Sequence, residues 1–148
     1  MQVKLRTDAT IFGVPPFDGA LDWQIQLNPG IPFQLHVRGG GNECHLNLEQ
    51  LLITKISIST GASSTDLTLP AAAGHTQVSI SAGVAALRIR VPEGVAANIQ
   101  PSSGLGNIHV DQSRFPRRGN GYESPDYKTA EHKVEIRATA SVGSLNIS

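Results

Sequence analysis

The chain has 148 residues, enough for one domain with a buried core. Its 12 Lys and Arg balance 12 Asp and Glu, which excludes a nucleic-acid or anionic-membrane surface driven by bulk charge. With 15 Gly and 9 Pro against 16% charged and 5% aromatic residues, the composition is that of a turn-rich β protein, not of a disordered segment. A single cysteine, Cys44, supplies neither an internal disulfide nor a cysteine zinc site. No apolar run approaches the ~20 residues of a membrane helix, and the N-terminus has no signal-peptide apolar region.

Residues 1–33 read as an N-terminal cap. They hold one alternating strand, Trp23-Ile25-Leu27, framed by Pro15-Pro16 and by Pro29, Gly30 and Pro32. From residue 34 the chain repeats itself. Glycines at Gly39-Gly40-Gly41, Gly61, Gly83 and Gly104 each separate two short alternating apolar segments. The leading segments are Leu35-Val37, Ile56-Ile58, Val78-Ile80 and Ile99. The trailing segments are Leu46-Leu48, Leu67-Leu69, Leu87-Ile89 and Ile108-Val110. Residues 111–133 interrupt the repeat as a loop or lid, with Phe115, Tyr122 and Tyr127 expected to pack on the neighbouring coil. A fifth copy follows: Val134-Ile136, Gly143, Leu145-Ile147.

Alternation at period two predicts strands with one buried face, each unit being strand, glycine turn, strand, turn. Two architectures suit such a unit: a β-sandwich of repeated hairpins, or a parallel β-solenoid in which equivalent residues stack. The near-constant period and the recurring apolar type favour an all-β solenoid of about five coils, about 24 Å tall at ~4.8 Å per coil. Solenoid ends need covers, because a terminal coil exposes unpaired backbone. Residues 34–148 form that solenoid in one domain with the 1–33 cap.

Several stretches carry a resemblance to a known family. They are WQIQLNPGIPFQLHVRGGGNECHLNLEQLLITKISISTGASSTDLTLP, LRIRVPEGVAANI, FPRRGNGYESPDY and SVGSLNI. The chain from about residue 21 to its end resembles the LiaF-like "toastrack" family of bacterial domains of unknown function, which is related to adhesin-like domains. The resemblance implies a right-handed parallel β-solenoid, in many relatives the soluble C-terminal part of a protein with membrane helices. It associates the fold with cell-envelope stress sensing, where LiaF-like proteins restrain a sensor kinase, or with adhesion. The expected location is therefore the soluble domain of a membrane-anchored bacterial protein, on either side of the membrane, the alternative being a cytoplasmic soluble protein. The family carries no catalytic residues to transfer.

Stacked coils turn Leu46, Leu67, Leu87, Ile108 and Leu145 inward. They leave outward columns of Asn47, Thr68, Arg88, His109, Asn146 and of Glu49, Pro70, Arg90, Asp111, Ser148. The leading arms add His36, Ser57, Ser79 and Gln100. Such columns solubilise a sheet face. As a site, the candidate is a flat interaction face of Asn47, Thr68, Arg88, Arg90, His109 and Asp111, with Arg90 and Asp111 as stacked partners. Cys44 shares the inward parity and reads as an inert buried thiol. The five histidines show no metal spacing, and His36, His45 and Glu43 make a weak metal case. Gly104-Leu105-Gly106 belongs to the repeat and is not a dinucleotide loop. Arg114, Arg117 and Arg118 form a basic cluster tempered by Glu123, Asp126 and Glu131.

The expected function is a non-catalytic interaction platform without cofactor or metal. Its partner would be a protein, such as a membrane sensor, or a second copy; no nucleic acid and no membrane insertion are expected. The alternatives are a glycan-binding module using Trp23, Tyr122 or Tyr127, and a carbohydrate-active enzyme, which would require two facing carboxylates.

Overall fold

The structure is a computed structural model that describes residues 2–6, 32–102 and 105–148. Every regular element among them is a strand. In chain order these are β1 (Gln2–Arg6), β2 (Phe33–Asn47), β3 (Ile53–Thr68), β4 (His75–Arg90), β5 (Ala96–Pro101), β6 (Leu105–Val110), β7 (Arg117–Arg118), β8 (Gly121–Glu123) and β9 (Lys133–Ile147). The pairings β2–β3, β3–β4, β4–β9, β9–β5 and β9–β6 are all parallel. A parallel ladder between successive copies is a β-solenoid and rules out a sandwich of hairpins, whose strands pair antiparallel. The five coils are β2, β3, β4, β9 and the split rung β5/β6.

The glycines do not close hairpins. Those of β2, β3, β4 and β9 lie inside one continuous strand of 15 or 16 residues and make a corner between a leading and a trailing arm, while Gly104 lies outside the described residues. In β4 the buried positions run Thr76, Val78, Ile80, Ala82 and then Ala85, Leu87, Ile89. Parity flips at Gly83-Val84, and in β9 it flips again between Ala140 and Leu145. The ladders skip these same points: Gly39 pairs Thr60 and Gly41 pairs Ala62, while Thr60 pairs Ala82 and Ala62 pairs Val84. Packing at the corner demands glycine, since a Cβ on Gly83 would lie 2.7 Å from the Gly61 carbonyl oxygen. Both arms feed one apolar cluster in which Ile56, Ile58, Leu67, Leu69, Ile89, Ile99, Ile136 and Ile147 are all at most 2% exposed.

Coil order departs from chain order. β9, the last strand, lies between β4 and β5. The leading register is Leu35, Ile56, Val78, Ile136, Ile99, so the copies at 78 and 99 are separated by one rung. The expected contact of Arg90 with Asp111 fails for the same reason. The sequence favours β9 for the interior, because it carries both arms unbroken whereas β5/β6 is broken and contains Pro101, which donates no backbone hydrogen bond.

The leading arms are covered at both ends by antiparallel strands. β1 pairs along β2 from Gln2↔Arg38 to Arg6↔Gln34, and β8 pairs β5 at Asn98↔Glu123 and Ile99↔Tyr122. The first cover was signalled by the Val3-Leu5 alternation, which the sequence reading did not single out. The Trp23-Ile25-Leu27 strand lies outside the described residues. Segment 111–133 is pinned by Phe115, 1% exposed, and by Arg114, whose Nη1 and Nη2 donate to the Val91 and Pro92 carbonyls at 2.8 and 2.9 Å. The Arg114 guanidinium also sits 4.8 Å over the Phe115 ring.

Candidate functional site

The trailing arms present an open outer face, and the register shows which side chains share a row on it. The sequence aligned Leu67 with Leu87; the ladder pairs Leu67 with Ile89. A shift of two keeps every side chain on its own face but changes its neighbours. The outer rows are therefore His45, Asp66, Arg88, Asn146, His109 and, two residues on, Asn47, Thr68, Arg90. Glu49 and Pro70 belong to the turns beyond the strands, not to a column.

Four of the six anticipated residues come together. Asn47, Thr68, Arg88 and Arg90 line an open groove of 550 Å³, joined by His45, Asp66, Asn146 and Ser148. His109 and Asp111 are exposed on the outermost rung, beyond β9, and do not line it. His45 and Asp66 escaped the sequence reading as members of this face. The signal that finds them is a trailing period of 22 residues between β3 and β4 instead of 20.

Charge in the groove is unevenly shared. His45 Nδ1 lies 3.1 Å from Asp66 Oδ2 across the β2–β3 rung. The Asn47 Oδ1 accepts from the Glu49 amide at 3.2 Å, and its NH2 group remains a donor. Arg88 and Arg90 are exposed on β4 and have no ion-pair partner among the described residues. Among the described residues Asp66 is the only side-chain carboxylate lining the groove. Asp111 is engaged elsewhere: its Oδ1 accepts from the Ser113 hydroxyl at 2.5 Å and from the Ser113 amide at 3.1 Å. The hydroxyl bond, then the amide bond, and the nearby Arg114 hold its carboxyl below the usual carboxylate range against slight desolvation.

A second cleft, of 350 Å³, lies where β8 meets β5. Its polar groups fasten the two together: Glu123 accepts from Asn98 Nδ2 at 2.7 Å and from Arg118 Nη1 at 2.5 Å. The basic cluster is thus largely consumed internally, Arg114 by carbonyls and Arg118 by Glu123. Tyr122 is half-buried and packs on the core, and Tyr127 sits 5.5 Å below Lys133 Nζ. Burial, then Glu135 and Glu123, push the Tyr127 phenol up. The Cys44 and Glu43 side chains, Trp23 and Gly104 lie outside the described residues. Among the described residues no three His, Cys, Asp or Glu side chains cluster as a metal site, and no helix is long and apolar enough to cross a membrane.

Known proteins agree with this architecture. A crystal structure of a "putative cell adhesion protein" from Clostridium sporogenes ATCC 15579 superposes with a TM-score of 0.75 at 24% identity, over 82% of this chain. The matched region spans 57% of that chain's length. No curated protein matches. A family model described as the N-terminal domain of toast_rack, DUF2154, matches residues 3–90, the stretch from β1 through the third coil. With most of its length matched by that model and its coils stacked in parallel, the chain belongs to the toast-rack family.

Proposed function

We propose that this chain is a non-catalytic interaction domain of a bacterial cell-envelope protein, and that the outer face of its trailing arms docks a protein partner. The observation that carries the reading is the groove itself: two exposed guanidiniums, Arg88 and Arg90, beside small polar side chains on a rigid parallel ladder. Membership of the toast-rack family supports an envelope role, and in the version of it that restrains a membrane sensor this face would meet the sensor. The structural neighbour described as a cell adhesion protein supports the adhesive version, in which the same face meets an extracellular ligand. No chemical step is assigned, since the one side-chain carboxylate that lines the groove among the described residues, Asp66, is paired with His45.

A photo-crosslinking residue at Thr68, on the groove, is compared with one at Ser59, exposed on a leading arm. Placed in the full-length protein in its own cells, the Thr68 probe is expected to trap one defined protein. That product should vanish in Arg88→Glu/Arg90→Glu. Equal crosslinking from Ser59, or release of reducing ends from cell-wall polysaccharides by the pure protein, would overturn the reading.

A further inference from the structure

We infer that the groove recognises an extended acidic peptide segment whose carboxylates occur at alternate residues; this rests on the interaction face proposed above. Arg88 and Arg90 leave the same face of one strand two residues apart, so their stems are about 6.6 Å apart. An extended peptide lying along β4 repeats its own same-side residues at that spacing. Each guanidinium is a planar fork suited to a carboxylate, and neither has an ion-pair partner among the described residues.

The neighbours set the direction. A ligand crossing the coils along the row through Arg88 meets Asp66 one rung away, and that carboxylate repels an anion. A ligand following β4 stays one rung away from Asp66, which flanks Arg88 and is paired with His45, and meets Arg88 and then Arg90, the latter flanked on the β3 side by Thr68 and beyond it by Asn47. These two side chains offer a hydroxyl and an amide NH2 to the peptide's backbone carbonyls. Charge therefore favours an occupant that runs with the strand, and the arginine spacing favours a polypeptide.

The test uses two fluorescent peptides of the same composition, one with Glu and Thr alternating and one with all Glu in a block, measured by anisotropy at low and high salt. The alternating peptide should bind about tenfold tighter than the block isomer, and weaken about fivefold for each of Arg88→Gln and Arg90→Gln. Thermal melts of these surface variants should match the parent. Arg88→Lys, which keeps charge but loses the fork, should fall between parent and Arg88→Gln. Equal binding of the two peptides overturns the inference. An acidic oligogalacturonate is run in parallel. If it alone binds, and needs both arginines, the peptide inference falls while the interaction face stands. If nothing binds and the Thr68 crosslink survives Arg88→Gln/Arg90→Gln, the arginine face falls as well.

Discussion

The first three coils and the last two are built from the same repeat but assembled by different rules. β2, β3 and β4 stack in chain order, each one rung from the last, joined by short turns such as Leu69 to Gly74. Beyond β4 the order breaks. The chain skips a rung to lay down β5 and β6, makes the β7–β8 cover, and returns with β9 to fill the gap. An in-order stack can grow one rung at a time. An out-of-order stack cannot close until its last strand arrives, so the C-terminal half depends on contacts distant in sequence.

The largest test of that contrast is removal of residues 133–148. Val134, Ile136, Leu145 and Ile147 are each at most 1% exposed, worth about 1.5–3 kcal/mol apiece, or about 6–12 kcal/mol together. That rivals the whole stability of a domain this size. Calorimetry should find no cooperative transition; a sharp one would mean that β9 behaves as a dispensable end rung.

Next comes the joint between the two regions. A Cβ on Gly143 of β9 would fall onto the Ala85 backbone of β4, so Gly143→Ala should cost about 3 kcal/mol or more in a urea melt. Gly74→Ala, with φ of 76° but open space around it, should cost only about 1 kcal/mol. Equal costs would show that corner crowding is not what sets the glycine.

Weaker still is the latch of the end cover. Glu123→Ala deprives Asn98 and Arg118 of their acceptor and should cost about 1–2 kcal/mol. Hydrogen exchange should accelerate across 115–127 and stay unchanged in β3 and β4. Uniform acceleration would mean that the two regions unfold as one.

The smallest effect concerns acid. The Asp111 carboxylate ties the turn that leaves β6, and its folded pKa lies below the ordinary 3.8. A depressed carboxylate contributes above the ordinary value and loses its contribution as pH falls through the folded one. The Ser113 amide resonance should therefore shift with a midpoint below pH 3.8, with β2 to β4 unaffected. A midpoint at or above 3.8 would remove Asp111 from the turn.

Much of this was legible beforehand. Leu35, Ile56 and Val78 stand in register at the spacings read from the repeat, and inward and outward faces came out as alternation predicts. The glycine spacing located every corner among β2 to β4, although it suggested turns. What misled was the pairing of Leu67 with Leu87. Two inward residues per arm, Leu87 and Ile89, satisfy alternation equally, so local pattern leaves a slip of two undecided. The corrected register brought His45 and Asp66 into the candidate face, and the insertion of β9 beside β4 took His109 and Asp111 out of it.

By itself the sequence determined that this chain is a stack of two-armed rungs, because period-two alternation around recurrent glycines has few other ways to bury its Leu, Ile and Val. Only the tertiary structure decided which rung lies beside which. Rungs of the same pattern are interchangeable in apolar content, and the unbroken β9 takes the interior place while the broken β5/β6 rung, with Pro101, lies at the end. That choice also placed Arg88 next to Asn146 instead of His109 and kept Arg90 away from Asp111, and so shaped the groove.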